Sequence, residues 1–162
     1  MITIRKIEPG DREDFLSMAQ EFYNGPGVLH AVPSEVFERT FDELSSDSKY
    51  LEGYIFEKDG VSCGYGLLSL SFSPEVGGQS IFIEEIYVRA CFRGEGIGHR
   101  FLDMVTSRTD ARVRRIRLEA VKSNERAIAL YKRYGFCELD YLQMVKDKKE
   151  ETDTTDISEE GR

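Results

Sequence analysis

The chain has no tryptophan, only two histidines, three cysteines and four prolines, and no apolar run near the roughly 20 residues that cross a bilayer. A membrane span is therefore not expected. The cysteines, Cys63, Cys91 and Cys137, are odd in number and show no Cys-x-x-Cys spacing, while His30 and His99 stand far apart. Neither a disulfide framework nor a zinc or other metal site is supported, and small buried thiols are the expected role. The opening MITIRKIEPGDREDF carries charges at Arg5, Lys6 and Glu8, where a secretory signal would need its apolar stretch. The expected compartment is the cytosol.

What is present suits one domain. Of 162 residues, 40% are apolar and 32% charged, with 10 Phe and 8 Tyr. A chain of this size buries about 70% of the surface it exposes when unfolded. Charge is unevenly spread: residues 1–79 hold 6 basic and 14 acidic side chains, 80–146 hold 13 and 9, and 147–162 hold 3 and 7. A basic middle in a chain with a pI near 4.9 points to a local anion site rather than a nucleic-acid surface, which needs a broad basic stripe.

Periodicity divides the chain into elements. ITIRKI alternates as a strand; Phe15, Met18, Ala19 and Phe22 then recur at helical spacing until Asn24-Gly-Pro-Gly stops them. Ser34 opens a second helix with Val36, Phe37, Thr40, Phe41 and Leu44 on its inner face. From Tyr50 two strands flank a Lys-Asp-Gly hairpin turn, residues 73–79 form a loop, and SIFIEEIYV is the next strand. ACFRGEGIGHRFLDMVTSR passes from a glycine-rich turn into a helix, RRIRLEAV is a strand, NERAIALYKRY a helix stopped by Gly135, and FCELDYLQMVK a last strand. The order β-α-α-β-β-β-α-β-α-β describes a mixed α/β (α+β) domain over 1–146, followed by an acidic tail, 147–162, of disordered composition.

The turn Arg93-Gly94-Glu95-Gly96-Ile97-Gly98 sits between strand and helix, where free backbone N–H groups and the helix dipole meet an anion. Without a Cβ at 94, 96 and 98 the main chain can approach phosphate oxygens and adopt positive φ, so a pyrophosphate ligand follows. The Rossmann spacing fails, since the third glycine would fall at His99 or Phe101, and no Gly-Lys-Ser/Thr follows for a Walker loop.

With its surroundings, IFIEEIYVRACFRGEGIGHRFL, the turn resembles the acetyl-CoA-binding core of the Gcn5-related N-acetyltransferases (GNAT), whose signature Gln/Arg-x-x-Gly-x-Gly/Ala is filled by Arg93, Gly96 and Gly98. LEAVKSNERAIALYKRYGF resembles the family's next strand and helix, with Asn124, Ala127, Tyr131, Gly135 and Phe136 in the usual order. The resemblance is sharp over residues 80–137 and topological before them. It implies a mixed, mostly antiparallel sheet of six or seven strands, splayed at strands 4 and 5 around acetyl-CoA, with about four helices.

The resemblance also implies roles. Backbone groups of Ile86, Tyr87 and Val88 would hold the pantetheine arm, turn amides from Gly94 through Glu95, Gly96, Ile97 and Gly98 to His99 the pyrophosphate, Arg93 a phosphate, and Asn124 the cofactor arm. Lys132 or Arg133 could reach the 3′-phosphate or remain solvated, the second being the favoured reading for each. Tyr131 matches the general acid at the thioester sulfur; a phenol with a pKa near 10 keeps its proton at neutral pH. Glu84 and Glu85 are the base candidates. Strand alternation turns neighbours to opposite faces unless a bulge intervenes, and cannot choose between them. Likeness to the acid pair of diamine and polyamine acetyltransferases assigns Glu84 as base and Glu85 as the anion that binds the amine. His30 would lie near the acceptor, with loops 24–34 and 73–79 as its walls; Cys91 has no base beside it and no role in direct transfer. The expected partner is a small cationic amine, drawn by the acidic N-terminal half. A protein lysine or N-terminus, or a CoA-binding regulator without chemistry, are the other readings, and a homodimer is left open.

Overall fold

Alternation in the opening residues yields β1 (Ile2–Lys6), and Arg5 on it forms ion pairs with Asp11 at 2.7 Å and Glu57 at 2.7 Å. That pairing explains how Asp11, only 8% exposed, stays charged: the guanidinium holds its carboxyl below the usual range, and the Glu8 N–H donates to it at 2.7 Å. The short 3-10 turn Pro9–Asp11 leads into α1 (Arg12–Tyr23), which buries the expected Phe15, Met18 and Ala19. The computed structural model describes residues 1–26, 28, 32–108 and 112–148; His30 and the tail from 149 onward lie outside them. Then come α2 (Ser34–Ser45), β2 (Leu51–Lys58), β3 (Val61–Ser73), β4 (Gly78–Val88), a 3-10 turn Ala90–Phe92, α3 (Ile97–Thr106), β5 (Val113–Leu118) and α4 (Glu125–Arg133).

The strands form one sheet in sequence order, antiparallel except for β4 and β5, which α3 connects as a parallel pair. The β2–β3 turn is the expected Asp59–Gly60, with φ of 50° and 81°, the positive pair whose twist suits a two-residue hairpin. Helices cover both faces. On one face Phe15 of α1 and Phe37 and Phe41 of α2 pack with the sheet residues Ile55, Tyr65, Leu67 and Tyr87; on the other Ile97, Phe101 and Leu102 of α3 pack with Phe56, Leu68, Ile81 and Ile83. Each such side chain contributes roughly 1.5–3 kcal/mol of burial. Phe101 lies flat on β3 because position 66 is glycine: a Cβ there would stand 2.4 Å from its ring.

The architecture agrees with the expected fold, with four α-helices and a mixed sheet, but the described residues carry five strands rather than six or seven. The missing one is the anticipated final strand over 136–146, which has no ladder partner. Its apolar residues fall as adjacent pairs, Tyr141–Leu142 and Met144–Val145, so no single face collects them, and all four are exposed. The anticipated 73–79 loop is shorter than expected, with Ser73, Gly78 and Gln79 in strands and residues 74–77 between β3 and β4. That turn is about 20 Å of strand from Glu84. Among the described residues no helix is long and apolar enough to cross a membrane.

Candidate active site

The β4–β5 ladder runs from Gln79 opposite Val113 to Ile83 opposite Leu118 and stops there. Beyond Ile83 no strand among the described residues pairs with the outer edge of β4, which leaves alternate main-chain groups of residues 84–88 without ladder partners on that side. A groove of about 620 Å³ occupies the gap; it is lined by Ile86, Tyr87 and Val88 on one side and by Asn124, Ala127, Leu130 and Tyr131 of α4 on the other. Its end is the glycine turn. Gly94 and Gly96 have φ of 88° and 82°, and a Cβ on either, or on Gly98, would meet nothing within 4 Å. These glycines are therefore not demanded by packing. They leave room at the N-terminus of a ten-residue helix, where N–H groups lack intrahelical partners and the dipole is positive.

The structure gathers most of the expected cofactor residues in this groove: Ile86, Tyr87, Val88, Arg93, Gly94, Gly96, Ile97, Gly98, His99, Asn124 and Tyr131 all line it. Glu95 is left out, its carboxylate turned to Lys58 at 2.5 Å. Arg93 donates from Nε to the Val88 carbonyl at 2.9 Å, which pins the turn to the end of β4. Asn124 Oδ1 accepts from the Ala127 N–H at 3.2 Å and so caps α4. Lys132 faces away and pairs with Glu138 at 2.9 Å, whereas Arg133 reaches the groove wall. Tyr131 packs its ring near Phe136, and burial alone pushes its phenol above the ordinary value, which keeps the proton on it. Among the described residues no cluster of His, Cys, Asp or Glu could hold a metal ion.

The two acids are separated by environment and joined by a bulge. Ile83 pairs with Leu68 and Glu85 with Leu67, which leaves Glu84 as the extra residue. Glu85 thus shares a face with Leu67 and Tyr65, and Glu84 accepts from Ser69 Oγ at 2.5 Å, two residues from Leu67 on that face. Both carboxylates therefore stand on the α1/α2 side of the sheet, Glu84 exposed and Glu85 half-buried. Glu85 accepts from Tyr23 Oη at 2.6 Å and Tyr65 Oη at 2.5 Å. Burial raises its pKa, the two hydroxyls oppose that rise, and the charge on Glu84 adds to it. The same surroundings push the Tyr65 and Tyr23 phenols far up, burial first and Glu85 second.

Tyr23 and Tyr65 are functional candidates that sequence reasoning missed, 62 and 20 residues from Glu85. Tyr23 stacks on Phe37 at 5.2 Å and 24°, so the acid sits in an aromatic wall built by α1, α2 and β3. No local spacing encodes that. Tyr87 was expected to act through its backbone; its side chain also donates to Glu21 at 2.6 Å, while Arg89 binds Glu21 and the Ser62 carbonyl, tying α1 to β4. A larger concavity of about 1100 Å³ lies at the far end of the sheet near Tyr50, Phe72 and Arg114. No helix N-terminus among the described residues opens onto it, and neither concavity is lined by Glu84 or Glu85, which stand on the α1/α2 side of the sheet just before the smaller groove's Ile86.

A family model described as the Acetyltransferase (GNAT) family matches residues 13–136. A thialysine N-epsilon-acetyltransferase from Bos taurus is 38% identical over 73 residues, which span 44% of this chain and 42% of that relative's length. Among solved structures, a possible acetyltransferase from Clostridium difficile 630 superposes with a TM-score of 0.78 at 18% identity, over 92% of this chain and 99% of that one. The aminoglycoside N-acetyltransferase AAC(6')-Iy, solved with CoA, gives a TM-score of 0.74 at 19% identity, over 92% and 96%. Likeness at those identities establishes the shared fold.

Proposed function

The chain belongs to the acetyltransferase (GNAT) family, and from that premise we propose that it transfers an acetyl group from acetyl-CoA to the primary amine of a small cationic acceptor by direct attack in a ternary complex. The observation that carries the reading is the parting of β4 from β5 beyond Ile83, with an open glycine cradle at one end and Tyr131 on the facing wall. Acetyl-CoA would supply an acyl group activated as a thioester. Its diphosphate suits the N–H groups of Gly94 and of residues 96–99, and its amide-bearing arm suits the unpaired edge of β4 at Ile86, Tyr87 and Val88.

Acyl transfer to nitrogen forms a C–N bond and breaks a C–S bond, so the amine must lose a proton and the departing sulfur must gain one. Tyr131, neutral through burial, donates the second proton. Glu84, exposed and able to exchange with water, receives the first; Glu85, fixed between Tyr23 and Tyr65, holds the cationic acceptor beside it. An N–H near Tyr87 stabilises the charge that develops on the carbonyl oxygen. The acidic N-terminal half steers a cation toward the aromatic wall, and Arg93 and Arg133 complement the cofactor's phosphates.

Calorimetry with CoA and acetyl-CoA, followed by CoA release over a panel of diamines, polyamines, aminoglycosides and lysine peptides, tests the proposal. Saturable binding and turnover with free amines support it. Absence of binding at millimolar CoA refutes it, and turnover confined to peptides moves the acceptor to protein.

A further inference from the structure

Within the run Phe92–His99 every residue lines the groove except Glu95. A carboxylate in this turn is a rival to a diphosphate, because the free N–H groups and the positive end of the helix dipole attract either negative charge. Its position is set from outside the turn. Lys58, the last residue of β2, contacts Glu95 Oε2 at 2.5 Å, and each of the two side chains is one-third exposed. The Lys58 ammonium also sits 5.9 Å from the centroid of Phe92, the residue that leads into the turn. Lys58 is itself anchored by the β2–β3 hairpin, where it pairs with Val61. The Cβ directions of Gly94 and Gly96 are open, so the residues on either side of Glu95 leave space on the turn.

We propose that Lys58 is a positioning residue for cofactor binding: it holds the Glu95 carboxylate outside the phosphate cradle and cancels its charge, so that the affinity for a diphosphate depends on this ion pair. The inference rests on the functional reading above. One uncompensated charge near a diphosphate, at an effective dielectric between those of water and the protein surface, is expected to weaken binding about tenfold.

A double-mutant cycle read by CoA calorimetry at low and moderate salt tests this. Lys58→Met is expected to raise Kd about tenfold, Glu95→Gln to leave it within about twofold, and the double variant to return to the Glu95→Gln value; Lys58→Arg retains wild-type binding. In steady state, Lys58→Met raises KM for acetyl-CoA while kcat at saturation stays unchanged. An unchanged Kd in Lys58→Met, or a loss that Glu95→Gln does not restore, overturns the proposal. The wild-type titration keeps the two readings apart: wild type that fails to bind CoA defeats the functional reading and this inference together, whereas wild type that binds leaves the cycle to judge the ion pair alone.

Discussion

Replacing Gly96 by alanine separates the cost of a strained backbone from the cost of a blocked cradle. Gly96 is the N-cap of α3 with φ 82° and ψ 8°, in the left-handed region, and its Cβ would meet no atom within 4 Å. The folded protein therefore pays only the conformational penalty, about 1–2 kcal/mol, which in a domain of this size lowers the melting temperature by roughly 2–8 °C. Ligand binding should lose more. The methyl stands over the turn and displaces at least one charge-assisted hydrogen bond, worth about 1.5–3 kcal/mol, so Kd for CoA rises roughly 10- to 100-fold. Gly98→Ala is the matched control: position 98 is helical, equally open, and the family signature admits alanine there. It should stabilise the protein by about 0.5–1 kcal/mol and bind CoA within about threefold of wild type. Thermal melts and calorimetry on the two variants give all four numbers. A Gly96→Ala protein that keeps wild-type affinity, whatever its melting temperature, refutes a diphosphate at this turn.

Other outcomes follow from the groove and the acid pair. Tyr131→Phe should lower kcat by about 10²- to 10⁴-fold, the usual scale for a general acid, with Kd for CoA unchanged; an unaltered kcat removes the assignment. Glu84→Gln should reduce kcat and shift the acidic limb of its pH profile, and a full rate with an unaltered profile transfers the base to Glu85. Glu85→Gln tests the buried carboxyl through stability. The folded pKa of Glu85 is raised, so the wild type has its full stability below the ordinary carboxylate range and loses part of it as pH climbs through the raised value. The melting temperature of the wild type should therefore fall relative to Glu85→Gln as pH rises above the ordinary carboxylate range, and a pH-independent gap excludes the raised pKa.

The parts of the site that were legible in the sequence are those whose cause is local. Glycine at 94 and 96 is a statement about φ, and both angles are positive. The spacing of Phe15, Met18 and Ala19 fixes the buried face of α1. The segment 136–146 has the composition of a strand but forms none, because pairing requires one apolar face and a free partner edge.

Sequence alone thus determined the element order as far as α4, the glycine cradle at the start of α3, the tyrosine on α4 and the presence of two adjacent acids, because each depends on residues within one or two turns of chain. Tertiary structure alone decided how the acids act. The register slip between Leu67 and Leu68 turns both to one face, Tyr23 and Tyr65 converge on Glu85 from separate elements, and Lys58 reaches Glu95 across 37 positions. Those arrangements are set by strand pairing and helix packing over distances that no local spacing records.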